Sequence, residues 1–135
     1  MNEEALRIFN LNLKEKVAGV WDENIPIIRH MVVECVGVEG QILSDGKLLD
    51  HMKDLCDNLD LHVVKTFVHT FEPQGTTVLM VLEESHIAVH SWPEKGYCHI
   101  DLVTCSKAEQ NLLKLAKAIT DIFKSKSIRI INLKY

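Results

Sequence analysis

Residues 76–104 read TTVLMVLEESHIAVHSWPEKGYCHIDLVT, and their pattern of strands and turns indicates the architecture of the whole chain. It predicts three consecutive strands, which are rich in β-branched, aromatic and other apolar residues and lie over Thr76–Leu82, His86–Trp92 and Tyr97–Thr104. The turn Pro93-Glu94-Lys95-Gly96 joins the last two strands, and a short acidic turn joins the first two. Because short turns join antiparallel neighbours, we expect the strands to pair as a meander.

Further elements flank this stretch on both sides. The pattern predicts strands over Ile27–Val36, Leu61–Phe71 and Ser127–Leu133, a helix from a Ser44-Asp45 cap to Leu59, and a helix to Phe123 from a capping box of Ser106 and Glu109. The order β-α-β-β-β-β-α-β indicates an α/β fold, a two-layer α/β sandwich with a mostly antiparallel sheet and helices on one face.

The first 26 residues are predicted to be an N-terminal extension, separate from one domain over residues 27–135. Apolar residues recur there at three- and four-residue steps, at Leu6, Phe9, Leu13 and Val17. This spacing predicts an amphipathic helix from Glu3 to about Gly19. Pro26 marks the boundary.

Composition narrows the class of protein. A chain of 135 residues with 47% hydrophobic and 25% charged residues is typical of a single globular domain. The net charge of −4 argues against a nucleic-acid partner, and no apolar run reaches the roughly 18 residues that span a bilayer. The N-terminus lacks a signal peptide's apolar core, so we expect a cytoplasmic protein with no membrane partner. The four cysteines lack CxxC spacing, which disfavours a metal site or a disulfide framework.

Three residues that we expect to lie near one another could do unusual chemistry: Ser85, His90 and Cys105. Side chains five apart on a strand point to opposite faces, so Ser85 and His90 cooperate only if Ser85 lies outside the regular strand. Cys105 ends the next strand. If the two strands form a hairpin, Ser85 and Cys105 meet at the same end of it.

Each residue also has an ordinary explanation. Ser85 could be a strand-start or turn serine, and Cys105 could be a small buried hydrophobe. His90 falls on one face with His86 and Trp92 at period two, and could belong to a polar-edged aromatic surface. A Ser-His hydrolase is disfavoured because Ser85 has no G-x-S-x-G elbow. A zinc site made by the strand histidines (His86, His90 and His99) lacks the helical pairing of known zinc motifs.

Several separated motifs agree, in identity and order, with one family. The chain resembles the pyruvoyl-dependent S-adenosylmethionine decarboxylases of bacteria and archaea in Phe71-Glu72-Pro73-Gln74-Gly75, Glu84-Ser85-His86, His90-Ser91-Trp92-Pro93-Glu94, Tyr97 and Asp101-Leu102-Val103-Thr104-Cys105. Arg29-His30 with Glu34 resembles the opening strand, and the resemblance extends from about residue 28 to residue 132. It implies self-cleavage between Glu84 and Ser85, which turns Ser85 into a pyruvoyl cofactor that forms a Schiff base with the substrate.

The resemblance also implies roles for other residues. His90 would be the processing base, Thr77 the processing hydroxyl where serine is usual, and Cys105 the proton donor. Phe71 and His90 would flank the adenine and Glu94 would hold the ribose, with Trp92 in the same substrate-binding group. The implied small-molecule substrate is S-adenosylmethionine, decarboxylated for spermidine biosynthesis, in a homodimer whose active sites lie at the subunit interface.

Departures from the family pattern keep other functions open. Lys95 stands where an aromatic is typical, Val103 replaces a common phenylalanine, and Ser106 replaces a usual glycine. Relatives of the same fold decarboxylate arginine or ornithine and keep the Glu-Ser-His core, so these are alternative substrates. An inactive regulatory paralogue is a third alternative, disfavoured because Ser85, His90 and Cys105 are all retained.

Overall fold

The structure, a computed structural model, describes residues 5–12, 25–44, 46–105 and 111–135. Its strands are β1 Leu6–Asn12, β2 Arg29–Val36, β3 Val63–Thr70, β4 Thr76–Leu82, β5 Ser85–Trp92, β6 Tyr97–Thr104 and β7 Ser127–Lys134. Its α-helices are α1 Lys47–Asn58 and α2 Leu112–Phe123, and short 3-10 turns span Gly40–Ile42 and Pro93–Lys95.

All these strands form one seven-stranded sheet in the order β1-β7-β2-β6-β5-β4-β3. The neighbours β3, β4, β5, β6, β2 and β7 pair antiparallel, and β1 pairs parallel with β7. The meander predicted from residues 76–104 is confirmed as β4, β5 and β6, each hydrogen-bonded to the next along the chain.

The core lies between the sheet and the two helices. Alternate strand residues such as Val33, Val89 and Ile100 are almost wholly buried, as are the apolar stripes of both helices. They join one cluster, to which the helices contribute Leu48, Met52, Leu55, Leu115, Ala116, Ile119 and Phe123. The predicted two-layer sandwich, with a mostly antiparallel sheet and helices on one face, is confirmed. The other face, which we call the open face, is not covered by α1 or α2.

The N-terminal helix prediction is wrong over residues 6–12, which form β1. This strand continues the sheet beside β7, with Leu6 opposite Ile128 and Asn12 opposite Lys134. Leu6 and Ile8, two residues apart, both pack on the core, so the same apolar residues also satisfy a strand period. Pairing with the edge of β7 supplies backbone hydrogen bonds that no sequence period reveals. Residues 13–24 of the predicted helix lie outside the described residues.

The helix starts also differ from the predicted ones. Gly46, not Ser44, stands at the start of α1, and the Ser44 hydroxyl donates instead to the carbonyl of Gln41 at 2.8 Å. Asp45, Ser106 and Glu109 lie outside the described residues. The described part of α2 is capped by Asn111, whose side chain accepts from two backbone amides at its first turn. None of the described helices has the length and apolar character needed to cross a bilayer.

Candidate active site

Ser85, Glu84 and Cys105 meet at one end of the β5–β6 hairpin, and we call these three residues the serine cluster. Ser85, the first residue of β5, lies directly opposite Thr104, the last residue of β6. One step further out, the backbone amide of Cys105 donates to the carbonyl oxygen of Glu84 at 2.9 Å. The prediction that Ser85 and Cys105 meet at one end of a hairpin is therefore confirmed.

The backbone at Ser85 adopts a conformation that side-chain-bearing residues rarely adopt. Its φ is +151°, whereas strand residues have φ near −120° to −140°. Such a conformation costs of the order of 1–3 kcal/mol and persists only where the surrounding structure enforces it. Here Ser85 is held by strands on both sides. It pairs with Leu82 of β4 across the tight turn Glu83-Glu84, and with Thr104 of β6. The peptide bond between Glu84 and Ser85 thus lies next to a strained residue, and its carbonyl group is polarised by the backbone amide of Cys105.

Cys105 is the accessible thiol among the four cysteines. Its side chain is exposed, whereas Cys35, Cys56 and Cys98 are buried in the core. Burial raises the pKa of the Cys56 thiol to about 11, which keeps that thiol protonated and unreactive. The alternative that Cys105 is a small buried hydrophobe is therefore wrong.

The second group of predicted residues lies at the opposite end of β5. We call it the histidine cluster: Phe71, Thr77, His90, Trp92 and Glu94. Thr77 on β4 pairs directly with His90 on β5, and the Thr77 hydroxyl is hydrogen-bonded to His90 Nδ1 at 2.9 Å. This bond fixes the imidazole ring of His90 on the open face.

Exposed aromatic side chains and a carboxylate complete the histidine cluster. The Trp92 ring lies 6.5 Å from the His90 ring, and Phe71 packs edge-on against His69 at 4.6 Å. Phe71 and Trp92 are 49% and 39% exposed, so their rings are available to a ligand. Glu94 lies in the 3-10 turn that follows β5. Gly96 closes that turn with φ +58° and leaves no room for a side chain, because an added Cβ would meet the Val38 carbonyl at 2.7 Å.

One chain does not bring the serine cluster and the histidine cluster together. Ser85 and His90 are five residues apart in the same strand, which corresponds to about 16 Å at a rise of about 3.3 Å per residue. Ser85 belongs to the strand itself rather than to a preceding turn, so the condition for their cooperation within one chain is not met. The expectation that Ser85, His90 and Cys105 lie near one another is wrong for His90.

A charged network adjoins the histidine cluster on the open face. The Tyr97 hydroxyl donates to one Glu34 oxygen at 2.6 Å, and Arg129 donates to the other from Nε at 2.7 Å and from a terminal nitrogen. The Tyr97 bond and the Arg129 charge outweigh the cost of partial burial and hold the pKa of Glu34 below its ordinary value. Burial and the bond to Glu34 raise the pKa of Tyr97. His99, opposite Glu34, extends the network to His90, with ring centroids 6.2 Å apart.

We expect Glu34→Gln to lower the free energy of unfolding by about 1 kcal/mol at pH 7, because Tyr97 and Arg129 lose a charged acceptor. Arg129 is half exposed, so solvent weakens the contribution of its ion pair with Glu34 to this free energy. A lowered carboxylate pKa contributes stability above the unfolded-state value near 4.5, and this stability is lost as the pH falls through the folded-state value. The difference between wild type and variant should therefore shrink below pH 4.5.

Urea unfolding from pH 3 to pH 8 measures this difference, with the exposed carboxylate of Asp54 changed to Asn as the matched control. A difference between wild type and Glu34→Gln that grows on acidification would contradict the assignment.

Two strand histidines contact the same carboxylate. His86 lies 3.8 Å from the carboxylate of Asp101, which is also 2.7 Å from His30. Within the described residues, no group of three His, Cys, Asp or Glu side chains is arranged to hold a metal ion.

Three residues depart from the family pattern. Lys95 is exposed in the 3-10 turn, Val103 pairs with His86 on the open face, and Ser106 lies outside the described residues.

Thr104 belongs to a motif quoted above, but the sequence alone indicates no role for it. The residue is completely buried at the end of β6, and among the residues that the structure describes its hydroxyl has no hydrogen-bond partner. A threonine at a strand end looks ordinary in a sequence, and only the register with Ser85 draws attention to it. The link from Arg129 to Glu34 was also missed, because the two residues are far apart in the chain.

Comparisons with known proteins identify the family of this chain. The sequence profile of the S-adenosylmethionine decarboxylase family matches residues 29–134. An S-adenosylmethionine decarboxylase proenzyme of Acetivibrio thermocellus is 32% identical over 107 residues, which cover 78% of this chain and 86% of that protein. A proenzyme of the same name from Clostridium botulinum is 35% identical over 79 residues, 58% of this chain and 68% of the relative.

A solved structure shares the fold. The crystal structure of the adenosylmethionine decarboxylase from Aquifex aeolicus superposes with a TM-score of 0.70 at 21% identity, covering 79% of this chain and 88% of that one. The profile match spans all the described strands from β2 to β7 and both residue clusters. The chain therefore belongs to the S-adenosylmethionine decarboxylase family.

Proposed function

We propose that this chain is a self-processing decarboxylase of S-adenosylmethionine that makes its own pyruvoyl cofactor from Ser85. One observation carries the proposal: the Cys105 amide is hydrogen-bonded to the Glu84 carbonyl next to a strained Ser85, in a member of this family. The relatives are named proenzymes, which accords with activation by cleavage.

The proposed cleavage begins with an acyl shift. The Ser85 hydroxyl oxygen attacks the Glu84 carbonyl carbon, the peptide C–N bond breaks, and the hydroxyl proton passes to the nitrogen of residue 85. Forming an ester from an amide is uphill, so the reaction needs help from the fold. The Cys105 amide stabilises the oxyanion on Glu84, and loss of the peptide bond releases the strain at Ser85.

The second half of the cleavage is a β-elimination. A base removes the proton on the α-carbon of residue 85, the Cβ–O bond breaks, and Glu84 leaves as a carboxylate. Water then replaces the nitrogen, which departs as ammonia, and a ketone remains at the new chain start. His90 is the proposed base, since its Nδ1 is hydrogen-bonded to Thr77 and its ring is held in one orientation.

Ser85 is half-buried at the end of the sheet, and the exposed Cys105 follows its strand partner Thr104 directly, so the position suits a group that must meet both substrate and proton donor. The pyruvoyl ketone supplies an electron-withdrawing centre that accepts the electrons released as CO2 departs. Cys105 then gives a proton to the former α-carbon. The exposed rings of Phe71 and Trp92 suit a cationic nucleoside, and the Glu94 carboxylate suits ribose hydroxyls.

The proposed active unit is a homodimer with composite sites. The distance of about 16 Å between Ser85 and His90 is too long for proton transfer within one chain. A two-fold axis between two copies would bring the serine cluster of one copy to the histidine cluster of the other, and would do so twice. The open face carries exposed apolar side chains that a second copy would cover, among them Phe67, Leu79, Val81 and Trp92.

Side-by-side assays of CO2 release from S-adenosylmethionine, arginine and ornithine test the substrate. We expect release from S-adenosylmethionine alone, because both amino acids lack the adenine and ribose that the histidine cluster is proposed to hold. The names of the related proenzymes also favour this substrate. Ser85→Ala protein provides the blank. Release from arginine or ornithine but not from S-adenosylmethionine would reject the proposed substrate while leaving the cofactor in place.

A further inference from the structure

The buried hydroxyl of Thr104 is unexplained by the resting structure. Its side chain is completely buried, and Oγ1 has no hydrogen-bond partner within the described part of the chain. Buried hydroxyls are almost always hydrogen-bonded, because an unmade bond leaves the cost of desolvation uncompensated. A valine of nearly the same shape would avoid that cost. A hydrogen bond that forms only during the reaction would account for the unpartnered hydroxyl at this position.

The sheet register places that hydroxyl beside residue 85. Thr104 and Ser85 are direct partners in the antiparallel β5–β6 pair. The neighbouring pair, Glu84 and Cys105, is joined by the amide-to-carbonyl bond, so Ser85 and Thr104 form the alternate, non-hydrogen-bonded pair. In such pairs the Cα atoms are about 4.5 Å apart, so the Thr104 side chain lies close to residue 85. Yet no hydrogen bond joins the two hydroxyls in the uncut chain.

We propose that Thr104 assists self-cleavage by donating a hydrogen bond to the side-chain oxygen of residue 85 as that oxygen leaves. The proposal rests on the self-cleavage described above. During elimination the α-proton passes to the base, the Cβ–O bond breaks, and its electron pair goes to the oxygen, which becomes part of the Glu84 carboxylate. The Thr104 O–H stabilises the negative charge that develops there.

The timing follows from the resting structure. A donor bonded to the serine oxygen before attack would withdraw electron density from it and make it a poorer nucleophile. The absent bond in the uncut chain avoids this cost. A bond formed only when the oxygen becomes a leaving group lowers the barrier of that step without stabilising the starting state.

Cleavage kinetics of Thr104→Val and Thr104→Ser test the inference. We expect Thr104→Val to cleave at least tenfold more slowly and to accumulate an ester that neutral hydroxylamine splits between residues 84 and 85. Thr104→Ser, which keeps the hydroxyl, should cleave within threefold of wild type. Cleavage of Thr104→Val at the wild-type rate, or a stalled chain that resists hydroxylamine, would overturn the inference.

Stability separates a chemical role from a structural one. In the uncleavable Ser85→Ala background, Thr104→Val should unfold at the same urea concentration or a higher one, because no hydrogen bond is lost. A lower midpoint would show that the hydroxyl has a partner in the resting chain and would also overturn the inference. Thr120→Val is the matched control: its hydroxyl donates to the Ala116 carbonyl at 2.8 Å, so it should lose stability and cleave normally. If wild type itself does not cleave, the proposed function fails before any Thr104 variant is compared.

Discussion

Replacing Ser85 with alanine is expected to leave a single intact chain and to abolish decarboxylation. Alanine has no oxygen to attack the Glu84 carbonyl, so neither the ester nor the pyruvoyl group can form. Wild-type protein should instead give two fragments, residues 1–84 and residues 85–135, the second with a blocked start. Mass spectrometry of the purified proteins measures the cleavage, and CO2 release from S-adenosylmethionine measures the activity.

A second serine provides the control. Ser127 also begins a strand and is also partly buried, but it lies in β7 and has an ordinary backbone conformation. Ser127→Ala should cleave and turn over like wild type. Activity in Ser85→Ala protein, or an intact wild-type chain under all conditions, would rule out the proposed chemistry and would favour the inactive regulatory paralogue.

The central meander could be predicted from sequence because its signals are local. The bounds of β4 and β6 agree with the predicted ones, and β5 begins only one residue earlier, at Ser85. Turn residues and runs of apolar residues are adjacent in the chain, so they identify the strands without knowledge of the rest of the fold. The single added residue matters, however, because it puts the strained Ser85 inside the strand.

The N-terminal strand could not be predicted in the same way. Over residues 6–12 the apolar spacing fits a helix and a strand, and what favours β1 is the free edge of β7, more than a hundred residues later in the chain. Local periodicity carries no information about such a partner.

Motifs identified the residues of the candidate site but not their separation. Glu84, Ser85 and Cys105 come together because a hairpin links them, and Thr77 meets His90 for the same reason. A motif list gives no distances, so the two clusters look like one site until the strand rise is applied. The role proposed for Thr104 could not be inferred from motifs, because it depends on the burial of the side chain, on the strand register and on a missing hydrogen bond, which only the structure shows.

Mixed dimers of Ser85→Ala and His90→Ala chains are expected to recover a cleavage that neither variant shows alone. Ser85→Ala lacks the nucleophile, and His90→Ala lacks the proposed base, whose loss should slow cleavage by about 10²–10⁴-fold. In a mixed dimer with composite sites, the intact Ser85 of the His90→Ala chain meets the intact His90 of its partner. One complete site forms for every two chains, and only the His90→Ala chain is cut.

Co-expression of the two variants with tags of different mass measures this recovery. With random pairing, about half of the His90→Ala chains should be cleaved, while every Ser85→Ala chain stays intact. Pairing Ser85→Ala with a Ser85→Ala/His90→Ala double variant is the control and should give no cleavage. The same logic places Thr77 with His90, since the two are hydrogen-bonded, so Thr77→Val should be rescued by Ser85→Ala in the same way. Cleavage by the His90→Ala chain alone at the wild-type rate, or no cleavage in the mixture, would exclude a site shared between two copies.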